Sequence, residues 1–279
     1  MPIDFKQLSV DNLGGLQVLV YGDTGVGKTT FAASAYRHPD LRRVGILDTD
    51  VGLTSISHWT DPGLVFASVE SSTGIQEVAL GAIANKPPYD EFRTWVVDSL
   101  SKWVTEDMRG ISEREYSRAP GKRGHVDAVQ IQDYKEMTAR ISRLSDGLKA
   151  TKRNVIFTAA VADVGATADN PNFTERRPHM PNAIWKDIAY KMDCIWFIFR
   201  RPDGSINMLT RSVVLPNGGT VQAKTRNTRF AEALMAASRV GDDGKPSGII
   251  QIGHQDEPES GKYLDFAKIY QLYLDSVTN

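Results

Sequence analysis

The sequence contains little of what marks secreted, disulfide-bonded or membrane-spanning proteins. Its single cysteine, Cys194, lies in the apolar run CIWFIF and cannot form an internal disulfide, so we expect a buried strand residue in a reducing compartment. No apolar run approaches the ~18 residues needed to span a bilayer, and the start, MPIDFKQL, lacks the apolar region of a signal peptide. We therefore expect a cytoplasmic protein with no membrane partner.

The sequence also lacks a strong charge of either sign. It has 33 Lys and Arg against 34 Asp and Glu, a net charge of −1, which excludes a polycation that binds nucleic acid or anionic lipid through its overall charge. Any contact with DNA must come from local patches. No internal repeat and no Pro/Ser-rich linker divides the chain. We predict one domain, residues 1–240, with an acidic loop and a C-terminal helix, residues 241–279, appended to it.

One motif is highly specific, and it spans residues 22–29 (GDTGVGKT). The stretch fits GxxxxGK[ST] at every specified position, after an apolar run typical of a buried strand and before a helix-like amphipathic segment. That context argues against a glycine-rich turn that merely contains lysine and threonine. Glycines let backbone N–H groups point at phosphate oxygens. We predict a nucleotide-binding loop made of Gly22, Asp23, Thr24, Gly25, Val26, Gly27, Lys28, Thr29 and Thr30.

Two residues of this loop have predicted chemical roles. Lys28 should contact the β- and γ-phosphates of ATP, and the hydroxyl of Thr29 should bind Mg²⁺. A helix that begins near Gly27 adds the positive end of its dipole to the phosphate site. ATP and Mg²⁺ are therefore the predicted cofactors.

An acidic pair follows the second predicted strand, residues 43–48 (RVGILD). The run ends in Asp48, and Asp50 comes two residues later. Ligands of open α/β sheets bind beyond the carboxyl ends of the strands, so a carboxylate there can act on chemistry at the γ-phosphate. Asp50 is the candidate to orient or deprotonate a water molecule, with Asp48 as the alternative. A turn or a helix cap explains these aspartates equally well.

A third acidic residue, Asp98, ends the apolar run in residues 94–101 (TWVVDSLS). This is the form of a Walker B segment, in which the aspartate binds Mg²⁺ through water or Thr29. We predict that this strand lies beside the phosphate loop and that a helix over residues 100–108 follows it.

Two segments are candidates for contact with a polyanion. Residues 109–125 carry five Lys or Arg and two Glu, so they are interpreted as a solvated loop or as a basic strap whose Tyr116 stacks on a base. Residues 162–183, rich in Gly, Asn and Pro with Arg176 and Arg177, are interpreted as a loop that becomes ordered on binding.

Two cations end a predicted hairpin formed by residues 205–214 and 220–226. Lys224 and Arg226 are spaced so that both side chains point to one face of a strand. They are consistent with surface charges that aid solubility. They are also consistent with a basic finger that reaches a neighbouring subunit's phosphate site and stabilises the transition state.

The chain resembles the RecA-like ATPase core over about Leu16–Arg229. The resemblance rests on the phosphate loop and four later segments, which occur in the order ILDTD, TWVVDS, NVIFTAA and AKTR. Within that fold the chain looks most like phage-type AAA-labelled proteins related to single-strand annealing and recombination. The resemblance implies an α/β fold: a mainly parallel sheet flanked by helices, with a C-terminal β-hairpin and helix. If the protein is phage-encoded, the resemblance implies that it is located in the cytoplasm of the host.

The resemblance also assigns roles. Asp50 matches the catalytic acid, although RecA has Glu there, and Asp98 matches the Mg²⁺ aspartate. Lys224 and Arg226 match a KxR pair that acts across a subunit boundary, which implies a homo-oligomer. Residues 162–183 correspond to a DNA-contacting loop, which implies single-stranded DNA as a partner.

One position departs from the resemblance. After the strand that contains Thr158, related proteins usually have a Gln or His whose side chain senses the γ-phosphate. This chain has Ala159 and Ala160 there. Slow turnover, or partial replacement by Thr158, is expected.

Three hypotheses follow. The first is an oligomeric ATPase that binds single-stranded DNA, is stimulated by it, and serves recombination or annealing. The second is an ATP-gated assembly or adaptor protein that hydrolyses little. The third is a small-molecule P-loop kinase with residues 162–183 as its lid.

Overall fold

A mixed β-sheet runs through the part of the chain that the structure describes. The structure, a computed structural model, describes residues 14–50, 53–69, 72–123, 125, 128–166, 172, 174–241, 244–256 and 262–278. The start, MPIDFKQL, lies outside the described residues.

Twelve strands are formed by these residues: β1 (Gln17–Gly22), β2 (Val44–Asp48), β3 (Leu64–Ser68), β4 (Thr94–Asp98), β5 (Asn154–Val164), β6 (Glu175–Pro178), β7 (Cys194–Arg200), β8 (Ser205–Leu209), β9 (Val213–Val214), β10 (Thr220–Val221), β11 (Lys224–Thr225) and β12 (Ile249–His254).

The described α-helices are α1 (Lys28–Ala33), α2 (Ser72–Ile83), α3 (Leu100–Arg118), α4 (Pro120–Arg123), α5 (Ile131–Ala150), α6 (Asn182–Lys191), α7 (Thr228–Ala236) and α8 (Phe266–Thr278). None of the helices in the described ranges is both long enough and apolar enough to cross a bilayer.

The main sheet has the strand order β12-β8-β7-β1-β5-β4-β2-β3. From β7 to β3 neighbouring strands are parallel, and β8 and β12 add antiparallel pairs at one edge. One apolar layer packs α2, α3, α5 and α6 on one face, and a second layer packs α1, α7 and α8 on the other. Strand β1, at the centre, is buried at all six residues because both of its faces are covered. The predicted fold class is confirmed.

The prediction that β4 ends beside the phosphate loop is confirmed, because Thr29 of that loop donates a hydrogen bond to Asp98 at 2.6 Å. Strand β4, which ends in Asp98, does not lie beside β1, because β5 pairs with both of them and separates them. Thr158 of β5 is therefore closer to Asp98 in the sheet than the phosphate-loop strand is.

The predicted basic loop at residues 109–125 is wrong for most of its length. Helix α3 continues to Arg118, and α4 follows. Several of the cations are paired with glutamates: Arg109 with Glu106 at 2.8 Å, and Arg118 with Glu115 at 3.0 Å. These i,i+3 pairs stabilise a helix, so the charges that suggested a solvated loop are helical surface charges.

The C-terminal part was also predicted incompletely. Residues 249–254, expected to belong to an acidic loop, form β12 and extend the sheet by pairing with β8. Of the acidic stretch, residues 242, 243 and 257–261 lie outside the described residues. Helix α8 is present as predicted. The predicted hairpin is shorter than expected, because only the two-residue strands β9 and β10 pair there, and β11 pairs with β7 instead.

Candidate nucleotide-binding site

The predicted phosphate loop lies at the carboxyl end of the central strand. It leaves β1 at Gly22 and enters α1 at Lys28. Gly25 and Gly27 have φ angles of +72° and +96°, which side chains with a Cβ adopt at a cost, and a Cβ on Gly22 would lie 2.2 Å from the Ile198 carbonyl oxygen. The glycines of the motif are thus required by the path of the backbone.

Lys28 lies within the curve of this loop. Its Nζ donates hydrogen bonds to the carbonyl oxygens of Gly22 at 3.0 Å and Asp23 at 2.7 Å. Burial lowers the pKa of the Lys28 ammonium, and the charges of Asp98, Asp23 and Asp50 oppose that effect. Lys28 therefore lies among carboxylates at the end of the sheet where the phosphate loop begins.

Asp98 is held by two hydroxyl groups from two different elements. Thr29 Oγ1, on α1, donates to Asp98 Oδ2 at 2.6 Å, and Thr158 Oγ1, on β5, donates to Asp98 Oδ1. The aspartate is 6 % exposed. Burial raises the pKa of its carboxyl group above the ordinary value, and the hydrogen bonds from Thr158 and Thr29 act in the opposite direction.

The donor set around Asp98 suits Mg²⁺. A carboxylate and the Thr29 hydroxyl offer hard oxygen ligands, and Mg²⁺ is usually bound by one or two carboxylates together with substrate phosphates and water. The predicted metal residues, Thr29 and Asp98, are thus in contact with each other, and Lys28 is close enough to influence the Asp98 carboxyl.

The two aspartates after β2 have different surroundings. Asp48 is 4 % exposed, and its Oδ1 accepts the backbone N–H of Asp50 at 3.1 Å, as expected for a turn-forming aspartate. Asp50 is exposed and lines the cleft beside the phosphate loop. The turn interpretation therefore fits Asp48, and Asp50 is the carboxylate that faces the cleft.

Strand β5 has alanines, and no polar side chain, at the expected sensor position. Ala159 is buried, and Ala160 lines the cleft while its N–H donates to Ser101 Oγ at 3.0 Å. The hydroxyl of Thr158, one step earlier, faces Asp98.

The phosphate loop, Asp50, Asp98 and Ala160 line a cleft of about 600 Å³, a volume typical of a small-molecule site. Several of its walls were not predicted from the sequence. The guanidinium of Arg37 lies 5.0 Å from the centre of the Trp59 ring and 3.0 Å from Asp265 Oδ2. Ile252 and Gln255 also line the cleft, so together with Trp59 these walls offer aromatic, apolar and polar surface. No local motif signals these residues, because they come together only in the fold.

Arg200 was missed as well, although a signal existed. It ends β7, which runs parallel to β1, and its Nη2 donates to the Gly25 carbonyl oxygen at 2.9 Å. Ligands of open α/β sheets bind beyond the carboxyl ends of the strands, and this applies to Arg200 as it does to Asp50.

The predicted pair Lys224 and Arg226 lies at the opposite end of the sheet. Strand β11 pairs with the first residues of β7, which is about 13 Å along the strands from Ile198 beside Gly22, at ~3.3 Å per residue. Lys224 donates to the carbonyl oxygen of Ala189, and Arg226 donates to that of Tyr190. The structure therefore does not bring this pair to the phosphate loop of its own chain. Its partners are carbonyls of the last turn of α6 and, for Arg226, also the Asp193 carboxylate at 3.8 Å.

Parts of the predicted loop at residues 162–183 form regular structure among the described residues. Strand β5 extends to Val164 and forms an antiparallel pair with β6. Arg176 contacts Asp163 through two hydrogen bonds, at 2.6 and 2.7 Å, and Arg177 is buried and donates to the Met180 carbonyl oxygen at 3.1 Å. These two arginines have partners inside the chain. Residues 167–171 and 173 lie outside the described residues.

Comparison with known proteins identifies the family of this chain. The chain matches a family model described as an AAA domain over residues 14–227. No curated protein matches it. Solved structures match it, among them a crystal structure of the RadB recombinase, with 15 % sequence identity, a TM-score of 0.42, and coverage of 75 % of this chain and 91 % of that chain. The family match spans more than half of the sequence, from before the phosphate loop to beyond Arg226, and the chain therefore belongs to the AAA domain family.

Proposed function

We propose that the protein binds and hydrolyses ATP with Mg²⁺, and that it acts on single-stranded DNA in recombination or annealing as a RecA-like oligomer. The observation that carries this proposal is the hydrogen bond between Thr29 and Asp98 beside Lys28. A phosphate loop alone indicates nucleotide binding. A buried carboxylate bonded to the loop threonine supports a complete Mg²⁺–triphosphate site.

The reaction is attack of water on the γ-phosphate in line with the leaving oxygen. Lys28 neutralises charge on the phosphate oxygens, and loop N–H groups orient them. Asp50 faces the cleft and orients the attacking water. Mg²⁺ held by Thr29 and Asp98 would supply positive charge to the phosphate oxygens.

Lys224 and Arg226 act on a neighbouring subunit's nucleotide in this proposal. Their position at the far end of the sheet favours action on another subunit over action on their own cleft. The side chain of Arg226 is 48 % exposed, so it is accessible to a neighbour. Their contacts with Ala189 and Tyr190 also favour a competing, purely structural role at the end of α6.

A mixing experiment separates these roles. The double variant Lys224→Ala, Arg226→Ala keeps its phosphate loop, and Lys28→Ala keeps its cations, so each alone should be inactive. Mixed oligomers should recover ATP hydrolysis, because some interfaces combine an intact loop with intact cations. Absence of recovery, or full activity of the double variant, would contradict a shared site. Lys191→Ala, at the same end of α6, is the control.

DNA dependence is tested with the wild-type protein. ATP hydrolysis should rise on addition of single-stranded DNA, and light scattering should report a larger mass with nucleotide. A hydrolysis rate that DNA does not change would remove DNA from the proposal.

An ATP-gated assembly protein with little hydrolysis is the second candidate. The observation that favours it is Ala160, which lines the cleft where related proteins have a polar sensor. Nucleotide-dependent oligomers that have no affinity for DNA and hydrolyse ATP slowly would support this candidate over the first.

A further inference from the structure

Thr158 lies beneath the nucleotide cleft and is fully buried. Its hydroxyl donates to Asp98 Oδ1, while the other carboxylate oxygen accepts from Thr29 at 2.6 Å. The carboxylate of Asp98 is thus bonded on both oxygens, by one residue from the phosphate-loop helix and one from the neighbouring strand β5.

This arrangement fixes the plane of the carboxylate. The χ2 torsion of aspartate is broad, so one hydrogen bond leaves the carboxylate free to rotate, whereas two bonds from opposite sides define its orientation. Strand β5 pairs with β4 up to Val97 and Phe157, which brings Thr158 beside Asp98. Thr29 is expected to exchange this bond for Mg²⁺, whereas Thr158 lies below the cleft and keeps its bond.

Another threonine in the same sheet shows that a buried hydroxyl here need not have such a partner. Thr94, on β4, is also fully buried, and its Oγ1 has no hydrogen-bond partner among the described residues. It lies at the other end of the strand from Asp98. The two threonines are buried to the same extent, but of the two hydroxyls only that of Thr158 has a hydrogen-bond partner among the described residues. Thr94 is therefore a matched control for Thr158.

We propose that Thr158 is a positioning residue that holds the Asp98 carboxylate in the orientation that binds the Mg²⁺ of Mg²⁺–ATP. The inference rests on the proposed function only in its nucleotide-binding part. Residues that hydrogen-bond to a metal ligand typically account for 10–100-fold in metal affinity or activity.

The test measures how much Mg²⁺ strengthens nucleotide binding, which needs no hydrolysis. Titration calorimetry with a non-hydrolysable ATP analogue, in Mg²⁺ and in EDTA, gives an enhancement factor for each protein. Thr158→Val removes the hydroxyl with little change of shape and should lower this factor about 10–100-fold. Affinity in EDTA should stay at the wild-type value. Thr158→Ser, which keeps the hydroxyl, and Thr94→Val, the matched control, should both behave as wild type.

The outcomes are distinct. An unchanged enhancement factor in Thr158→Val overturns the inference. Equal loss of affinity in Mg²⁺ and EDTA, or failure of this variant to fold, also overturns it, because the hydroxyl would then serve the fold. A wild-type affinity that does not depend on Mg²⁺ overturns it as well. If wild type hydrolyses no ATP but Thr158→Val loses the enhancement, the inference stands and the hydrolysis proposal fails.

Discussion

Two aspartates of this chain are buried to nearly the same extent but have different partners. Asp98, in the nucleotide cleft, is 6 % exposed and accepts hydrogen bonds from two neutral hydroxyls. Asp107, on α3, is 5 % exposed, and both of its oxygens accept from the Arg140 guanidinium, at 2.7 and 2.8 Å. One carboxylate is directly paired with a cation of the chain, and the other is not.

The difference separates a structural charge from a functional one. Arg140 also contacts Glu136 at 2.5 Å, so the charge of Asp107 is neutralised inside a network that joins α3 to α5. A buried carboxylate bonded only to neutral groups remains costly, and the raised pKa of Asp98 reflects that cost. A cation supplied from outside the chain would relieve it, which is what a Mg²⁺ site requires.

The largest expected effect comes from breaking the structural pair. Arg140→Ala leaves the Asp107 carboxylate buried without its counter-ion, and we expect a loss of about 3–5 kcal/mol in the free energy of unfolding. Urea denaturation measures it. Arg143→Ala, at an exposed position on the same helix, should stay within about 0.5 kcal/mol of wild type. Equal stability of the two variants would show that the pair is not structural.

In the cleft, Asp98→Asn should lower the rate of ATP hydrolysis and leave the stability of the fold intact. We expect ATP hydrolysis to fall about 10²–10³-fold, the range for removal of one group that stabilises a transition state. The melting temperature should not fall, because a neutral amide replaces a buried carboxylate without a cationic partner. Asp107→Asn should lose stability and keep its rate per folded molecule. A stable, fully active Asp98→Asn would remove the distinction between the two aspartates.

These contrasts also show what the sequence alone predicts. The phosphate loop, Asp98 and the parallel core were predictable because each is encoded in a short contiguous stretch whose pattern reflects local backbone geometry. The order of the strands in the sheet was not predictable, because it depends on pairing between distant segments such as β5 and β4. Strand β12 was missed for the same reason, since its partner β8 lies about forty residues away.

Errors in the helical part have a different origin. The charge density of residues 109–118 predicts a loop, whereas the spacing of their charges fits the helix that they form. The i,i+3 pair of Glu106 and Arg109 was a readable helix signal. The pair of Asp107 and Arg140 spans two helices and has no local signature, so this structural network was not foreseen at all.

A comparison of arginines sharpens the contrast between the two regions. Arg140 is saturated by carboxylates, whereas Arg200 lines the cleft and donates to the Gly25 carbonyl. We expect Arg200→Ala to raise the dissociation constant for ATP about 10-fold, the equivalent of one charge-assisted hydrogen bond of ~1.5 kcal/mol. Unfolding in urea should be unchanged. Arg201→Ala, the next residue, does not line the cleft and is the control in titration calorimetry. Equal affinities of the two variants would assign Arg200 to the surface.

The smallest expected effect is a pH dependence whose sign differs between the regions. A hydrogen bond from Arg114, with a further one from Arg140, holds the pKa of Glu136 below its ordinary value. Its stabilisation is therefore present above pH ~4.5 and is lost as the pH falls through the lowered pKa. Glu136→Gln should be less stable than wild type by under ~1 kcal/mol near neutral pH, since the side chain is 37 % exposed, and the gap should close in acid. The pKa of Asp98 is raised, so its contribution to stability is present in acid and is lost as the pH rises. In urea unfolding in EDTA, Asp98→Asn should therefore become more stable than wild type, by a difference that grows with rising pH. Gaps that move in the same direction for both variants would contradict the assignment of one carboxylate to the fold and the other to a ligand.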